Sequence, residues 1–129
     1  MKSRLFVGLF AVASFLLISA SLFAHHSINW AEKEPTTLTG KLTEFKFINP
    51  HVMLSMEVKD EQGNIQKWTV EGTGPARLRR AGWDRDTLKV GKVISVVGGR
   101  AKDGRLLINA RKFIVDGKEV DSEERDAPY

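Results

Sequence analysis

Between His51 and Lys59 the chain alternates without a break: Val52, Leu54, Met56 and Val58 are apolar, and His51, Met53, Ser55 and Glu57 occupy the other parity. A period of two is the signature of a strand buried on one face. The polar stretch Asp60-Glu61-Gln62-Gly63-Asn64 then predicts a turn, and Ile65 to Val70 a partner strand, so the pair reads as a hairpin. Upstream, Thr36 to Phe47 predicts another strand, with Leu38, Leu42 and Phe45 as its apolar positions and Gly40 marking a bulge or tight bend. Asn49-Pro50 ends it, because the residue before proline is pushed to an extended conformation and proline cannot donate a ladder bond. Downstream, Thr73 or Gly74 is placed to cap a short helix with Pro75 at its first position, Ala76 to Ala81 as its body and Gly82 as its C-cap. Leu78 and Trp83 are the residues that would pack it on the sheet. Val93 to Val97 predicts a fourth strand closed by Gly98-Gly99, and Leu106 to Val115 a fifth. Asp116-Gly117 turns the fifth strand into a short tail hairpin.

Five strands with one helix between the third and fourth give an all-β class, mainly β with one short helix. That is the element order of a small OB-fold-like five-stranded barrel. A five-stranded open sheet or sandwich would read much the same. Parallel βαβ alternation is not supported.

The N-terminus departs from this pattern. Lys2 and Arg4 precede an uncharged run from Leu5 to Ala24, apolar from Phe6 to Ile18 and small from Ser19 onward. Basic, apolar and small in that order predict a signal peptide over 1–24, cut after Ala24 or, as a second option, after Ala20. A run of about 18 apolar residues also suffices to span a bilayer, so an uncleaved anchor is the competing reading, and the only route to a membrane. The remaining chain divides into an N-terminal arm (25–35), the OB-like β domain (36–120) and a charged C-terminal tail (121–129). The expected location is periplasmic or secreted.

The 129 residues leave room for one domain, and there is no cysteine, so neither a disulfide nor a lipidated cysteine is available. The 20 lysines and arginines outnumber 16 acidic residues, but loss of Lys2 and Arg4 would leave 18 against 16. A balance that close to neutral gives no electrostatic footprint for nucleic acid. Arg77, Arg79 and Arg80 cluster on the short helix, and Arg100, Lys102 and Arg105 near the fourth turn. Trp30, Trp68 and Trp83 do not interleave with them along the chain, so they read as a solvated basic rim able to steer an anionic partner.

Catalytic patterns are lacking. There is no cysteine nucleophile and no Gly-x-Ser-x-Gly elbow, and Gly72-Thr73-Gly74 and Gly98-Gly99 do not form a phosphate loop. Asp84 and Asp86 flank Arg85 in what reads as a structural loop. An enzyme, including a copper oxidase, is the least supported class.

The three histidines carry the most chemistry. His25 and His26 would open the mature chain, and His51 starts a strand on its non-core face. An N-terminal histidine can chelate one metal ion through its amine and its ring Nδ1. Free amines and imidazoles titrate near about 8 and 6.5, so protons compete little at neutral pH. His51 would complete a T-shaped three-nitrogen site, and planar nitrogen donors suit Cu(II). His26 offers a second route through the amine, its own backbone amide and its ring. Met53 could add a thioether for Cu(I). Glu71 and Glu57 are oxygen ligands or partners that orient an imidazole. Against this stand plain structural roles: His51 as a strand cap, Met53 as packing, and both glutamates as solvated carboxylates.

Several segments taken together, Ala24-His25-His26-Ser27, Asn49-Pro50-His51, Trp68 with Glu71, Gly82-Trp83, Leu88-Lys89-Val90-Gly91 and the Gly98 to Gly104 turn, resemble a family of small exported bacterial proteins. It is known only as domain of unknown function 6152. The resemblance covers nearly the whole mature chain, and the His-His-Ser start with the later Asn-Pro-His is its most specific part. Two departures touch no candidate ligand: Lys89-Val90-Gly91-Lys92 stands where the family commonly has Lys-Pro-Gly-Asp, and Ile28 where it commonly has Phe. The resemblance implies export, cleavage before His25, a compact β fold and a shared His25, His26 and His51, with no established activity. The expected function is therefore an exported copper-binding or delivery module, with an envelope protein as metal donor or acceptor. The alternative is a metal-free OB-like interaction module that binds a protein or an anionic envelope ligand.

Overall fold

Val52, Leu54, Met56 and Val58 all point inward, as their alternation requires, and the wall they belong to closes on itself. The computed structural model describes Trp30 and residues 34–122. The proposed signal peptide, His25, His26 and residues 123–129 lie outside them. The strands are β1 (Thr36–Lys46), β2 (Met53–Lys59), β3 (Ile65–Glu71), β4 (Val93–Arg100), β5 (Leu107–Val115) and β6 (Lys118–Asp121); one helix, α1 (Pro75–Arg80), joins β3 to β4. β1 pairs antiparallel with β2 and with β4, β2 with β3, and β4 with β5. A short parallel pairing of β3 with β5 at Thr69–Glu71 completes the ring. This is a closed five-stranded barrel in OB-fold order, and β6 extends β5 outside it through the turn Asp116-Gly117. Among the described residues no helix is long and apolar enough to cross a membrane.

Leu42, Leu54, Met56, Val70, Ile94, Val96, Ile108 and Phe113 fill the interior and are almost wholly buried. Each such side chain contributes about 1.5–3 kcal/mol relative to exposure. α1 has six residues, too few to persist alone, and its N-cap Gly74 makes no side-chain bond. Packing holds it instead: Leu78 is fully buried, and Trp83, just past the helix, lies against Phe113 (5.3 Å between ring centroids) and Phe45 (6.4 Å).

Two glycines act differently from expectation. The bulge in β1 is at Thr43, between the pairs Leu42–Met56 and Glu44–Ser55, and not at Gly40. At Gly40 a Cβ would overlap the Glu57 carbonyl oxygen and lie 2.9 Å from Val58 Cγ2, so glycine is there for close approach of β1 to β2. Gly98-Gly99 does not close β4, which runs on to Arg100. A Cβ on Gly98 would overlap the Asn109 carbonyl oxygen, so this glycine lets β4 and β5 meet closely rather than turn. The adjoining bulge puts Arg111 as the extra residue of β5, between the pairs Val97–Lys112 and Gly98–Ala110.

The end of β6 is fastened twice. Ser122, almost fully buried, donates its backbone N–H to the Arg111 carbonyl at 2.7 Å. Its hydroxyl oxygen accepts the Thr73 N–H at 2.8 Å. Strand β6 and its fastening therefore take in Asp121 and Ser122, at the point from which the sequence reads as a charged tail. At the other end, Trp30 forms a single antiparallel bridge with Ala101, beside the β4–β5 turn.

Candidate functional site

Counting back from the Asp60–Asn64 turn places Met53 opposite Glu71, and Glu71 in turn pairs with Asn109 on β5. Their neighbours Leu54, Val70 and Ile108 point into the barrel, so Met53, Glu71 and Asn109 face outward in one row. The β2–β3 ladder continues past the strand ends. The Val52 N–H donates to the Thr73 carbonyl at 3.0 Å, and the Val52 carbonyl accepts the Gly72 N–H at 2.9 Å. Val52 itself is fully buried. His51, which follows a cis Asn49–Pro50 bond, is thus pinned through its neighbour even though it precedes the strand.

This brings His51 onto Glu71: Nδ1 lies 2.5 Å from Oε1, with the imidazole half exposed and the carboxylate 22% exposed. Met53, directly across from Glu71, has its Cβ about 5 Å from that of its partner by ordinary pairing geometry. The sheet thus gathers an imidazole, a carboxylate in contact with it and a methionine on one outward-facing row, residue types that can all serve a metal ion. Among the described residues no group of three or more histidine, aspartate or glutamate side chains converges. Glu57 is not part of the site; it sits four residues along β2, paired with Lys41 Nζ at 3.1 Å.

The basic residues are placed otherwise than the sequence order suggests. The Arg100 guanidinium covers the Trp68 ring at 4.7 Å, and Arg79 covers Phe47 at 5.2 Å. Charge and aromatic do interleave in space, because closure of the barrel through β5 brings the end of β4 within reach of a side chain on β3. Trp68 is nonetheless 3% exposed, with its indole N–H donated to Gln66 Oε1 at 3.1 Å, so it offers no stacking platform for a base. Sequence order held no signal for either stack.

Two acidic loops have structural work. Asp84 Oδ1 accepts the Asp86 N–H at 2.8 Å and the Thr87 hydroxyl at 3.1 Å. These bonds, the Asp86 backbone first, hold its carboxyl below the usual aspartate range. Asp103 is likewise lowered, chiefly by the Arg105 side chain that donates to it at 2.8 Å. An open groove of about 480 Å³ lies between the β5–β6 turn and the segment after α1, lined by Trp83, Thr87, Lys92 and Val120 among others, and includes none of the candidate ligands.

No curated protein matches the sequence. Residues 13–108, which include His25, His26, His51, Met53 and Glu71, match the model described as "Family of unknown function (DUF6152)", and the chain belongs to that family.

Proposed function

We propose that this barrel is an exported copper-binding or copper-delivery module whose site is formed by His25, His26 and His51. The observation that supports it is the half-exposed His51 ring, whose Nδ1 lies 2.5 Å from Glu71 Oε1, with Met53 paired opposite Glu71 on the same outward row. The mature N-terminus, cut after Ala24, supplies the amine and ring of His25 as two further nitrogens. Reach is adequate. From Ala101, which anchors Trp30, the strands run β4, β5, β3, so Trp30 and Glu71 are three spacings apart, about 14 Å around the wall and about 7 Å along it. His25 lies five residue steps before Trp30, a contour of about 16–18 Å. Planar nitrogen donors favour Cu(II), and Met53 gives the reduced ion a soft partner. An envelope protein serves as metal donor or acceptor.

The test is titration of Cu(II) into two forms of the exported chain, one beginning at His25 and one with a single extra residue before it. The expected result is tight binding and a nitrogen-rich spectrum only for the first. Equal affinity and equal spectra in the two forms would remove the amine from the site. No stoichiometric copper in either would turn the reading to a metal-free interaction module.

A further inference from the structure

Arg77 and Arg80 stand three residues apart on α1, so they share one face of the helix, and that face looks onto β6. An open hollow of about 400 Å³ lies between helix and strand, lined by Arg77, Arg80, Ala81, Glu119, Val120 and Asp121. It shares Ala81, Glu119 and Val120 with the groove of about 480 Å³ described above, so the two form one trough along β6. β6 is the last strand in the sheet order, and its outer edge carries no strand. The two-residue turn Asp116-Gly117 and the Ser122 N–H bond to Arg111 fix which backbone groups that edge offers. Bonding alternates along an antiparallel pair, so Lys118, Val120 and Ser122 turn toward β5, and Glu119 turns its N–H and carbonyl the other way, into the trough. We propose that this trough takes an extended acidic segment of a partner protein, added as a further strand on β6, with its carboxylates against Arg77 and Arg80.

The charges of the trough select an acid. Asp116 is paired with Lys92 Nζ at 2.5 Å and Glu119 with Lys112 Nζ at 2.7 Å, and Asp121 is engaged as well. Among the described residues neither Arg77 nor Arg80 meets a carboxylate; Arg80 Nε donates to the Ala76 carbonyl of its own helix at 3.4 Å. Strand geometry then places the acids. Val120, opposite Phe113, packs against the core. A peptide residue opposite Val120 points the same way, onto the α1 side, whereas one opposite Glu119 or Asp121 lies beside a carboxylate. The segment therefore carries its acids at every second position, with uncharged or basic residues between them. The same parity disfavours a second copy of this chain, which would set its own Glu119 or Asp121 opposite these acids. The site needs no metal and stands whether or not copper binds.

The test uses the full chain and a fluorescent, end-blocked hexapeptide alternating threonine and glutamate, with lysine replacing glutamate in its counterpart. Anisotropy is expected to show binding of the glutamate peptide alone, weakened by added salt. Arg77→Gln combined with Arg80→Gln is expected to weaken it about 3- to 20-fold. Arg79→Gln, at a side chain that covers Phe47 rather than the trough, leaves it unchanged. Thermal unfolding confirms that each variant is folded. In the complex the Glu119 amide should exchange with deuterium at least about 10-fold more slowly, as a newly bonded edge requires. Equal binding of the lysine peptide, an unchanged affinity in the Arg77 and Arg80 double variant, or a Glu119 amide that gains no protection overturns the proposal. No binding of the glutamate peptide also overturns it; if binding then appears once Glu123→Gln and Glu124→Gln are introduced, the trough belongs to the chain's own tail and not to a partner.

Discussion

Gly98→Ala is the sharpest test of how the barrel closes beside the site. The added Cβ would overlap the Asn109 carbonyl oxygen, lie 2.8 Å from its carbon and 3.1 Å from Ala110 Cα. All three are backbone atoms, so no side chain can swing away. Ordinary contact begins near 3.4 Å, so β4 and β5 must part at the pairs Gly98–Ala110 and Gly99–Asn109. Weakening two ladder bonds costs about 1 kcal/mol each, and forcing an atom into a packed wall about 1–3 kcal/mol. After partial relaxation the expected loss is about 2–4 kcal/mol. The control is in the same hairpin. Gly104 has φ +84 and nothing within 4 Å of its Cβ position, so Gly104→Ala meets only the left-handed backbone penalty, about 1 kcal/mol. Urea unfolding of the three proteins, followed by circular dichroism, reads the difference directly. Thermal scans should place the Gly98 variant about 10 °C or more below wild type, at roughly 4–8 °C per kcal/mol for a domain of this size. A Gly98→Ala protein as stable as Gly104→Ala would refute the close β4–β5 approach and with it the register that puts Asn109 beside Glu71.

Two further outcomes follow from the surface. Arg100→Ala strips the guanidinium from Trp68 and should cost about 0.5–1 kcal/mol; it should also raise iodide quenching of tryptophan fluorescence, and unchanged quenching would show that Arg100 does not cover the ring. Asp84 has a folded pKa held below its ordinary 3.8, so its charged form is favoured by folding; that stability is present above the unfolded value and is lost as pH falls through the folded one. Asp84→Asn should therefore flatten the acid limb of stability below about pH 4, and equal acid sensitivity in both proteins would deny the Asp86 and Thr87 bonds a role.

The barrel was readable because its strongest signal is local. Val52 to Val58 alternate, and Leu78 within a short helix and Trp83 just past it supply the apolar positions between the third and fourth strands. The misreadings concern glycine. In sequence, Gly98-Gly99 looks like a turn and Gly40 like a bulge, whereas Gly98 and Gly40 each answer the backbone of a neighbouring strand, which sequence alone does not place. The site was half legible. His51, Met53 and Glu71 stand out by residue type, and the turn length already fixes Met53 opposite Glu71. That Glu71 meets the His51 ring, and that Arg100 lies on Trp68, depends on side-chain directions across separate strands. His25 and His26 lie outside the described residues, so their share in the site remains the proposal made above.

Ser122 has a consequence for biosynthesis. It fastens the β3–α1 loop to the β5 bulge, and its bond to Thr73 spans 49 residues. The ring itself closes only when Leu107–Asn109 reach Thr69–Glu71. A ribosome must therefore release nearly the entire described chain before the fold can lock, and pairings this distant in sequence form slowly. Until then the polypeptide can still be threaded. Truncation just before Ser122 should leave a barrel that closes but whose third strand and helix are poorly joined. An affinity tag is better placed beyond the tail than in front of His25, where it would mask the proposed amine.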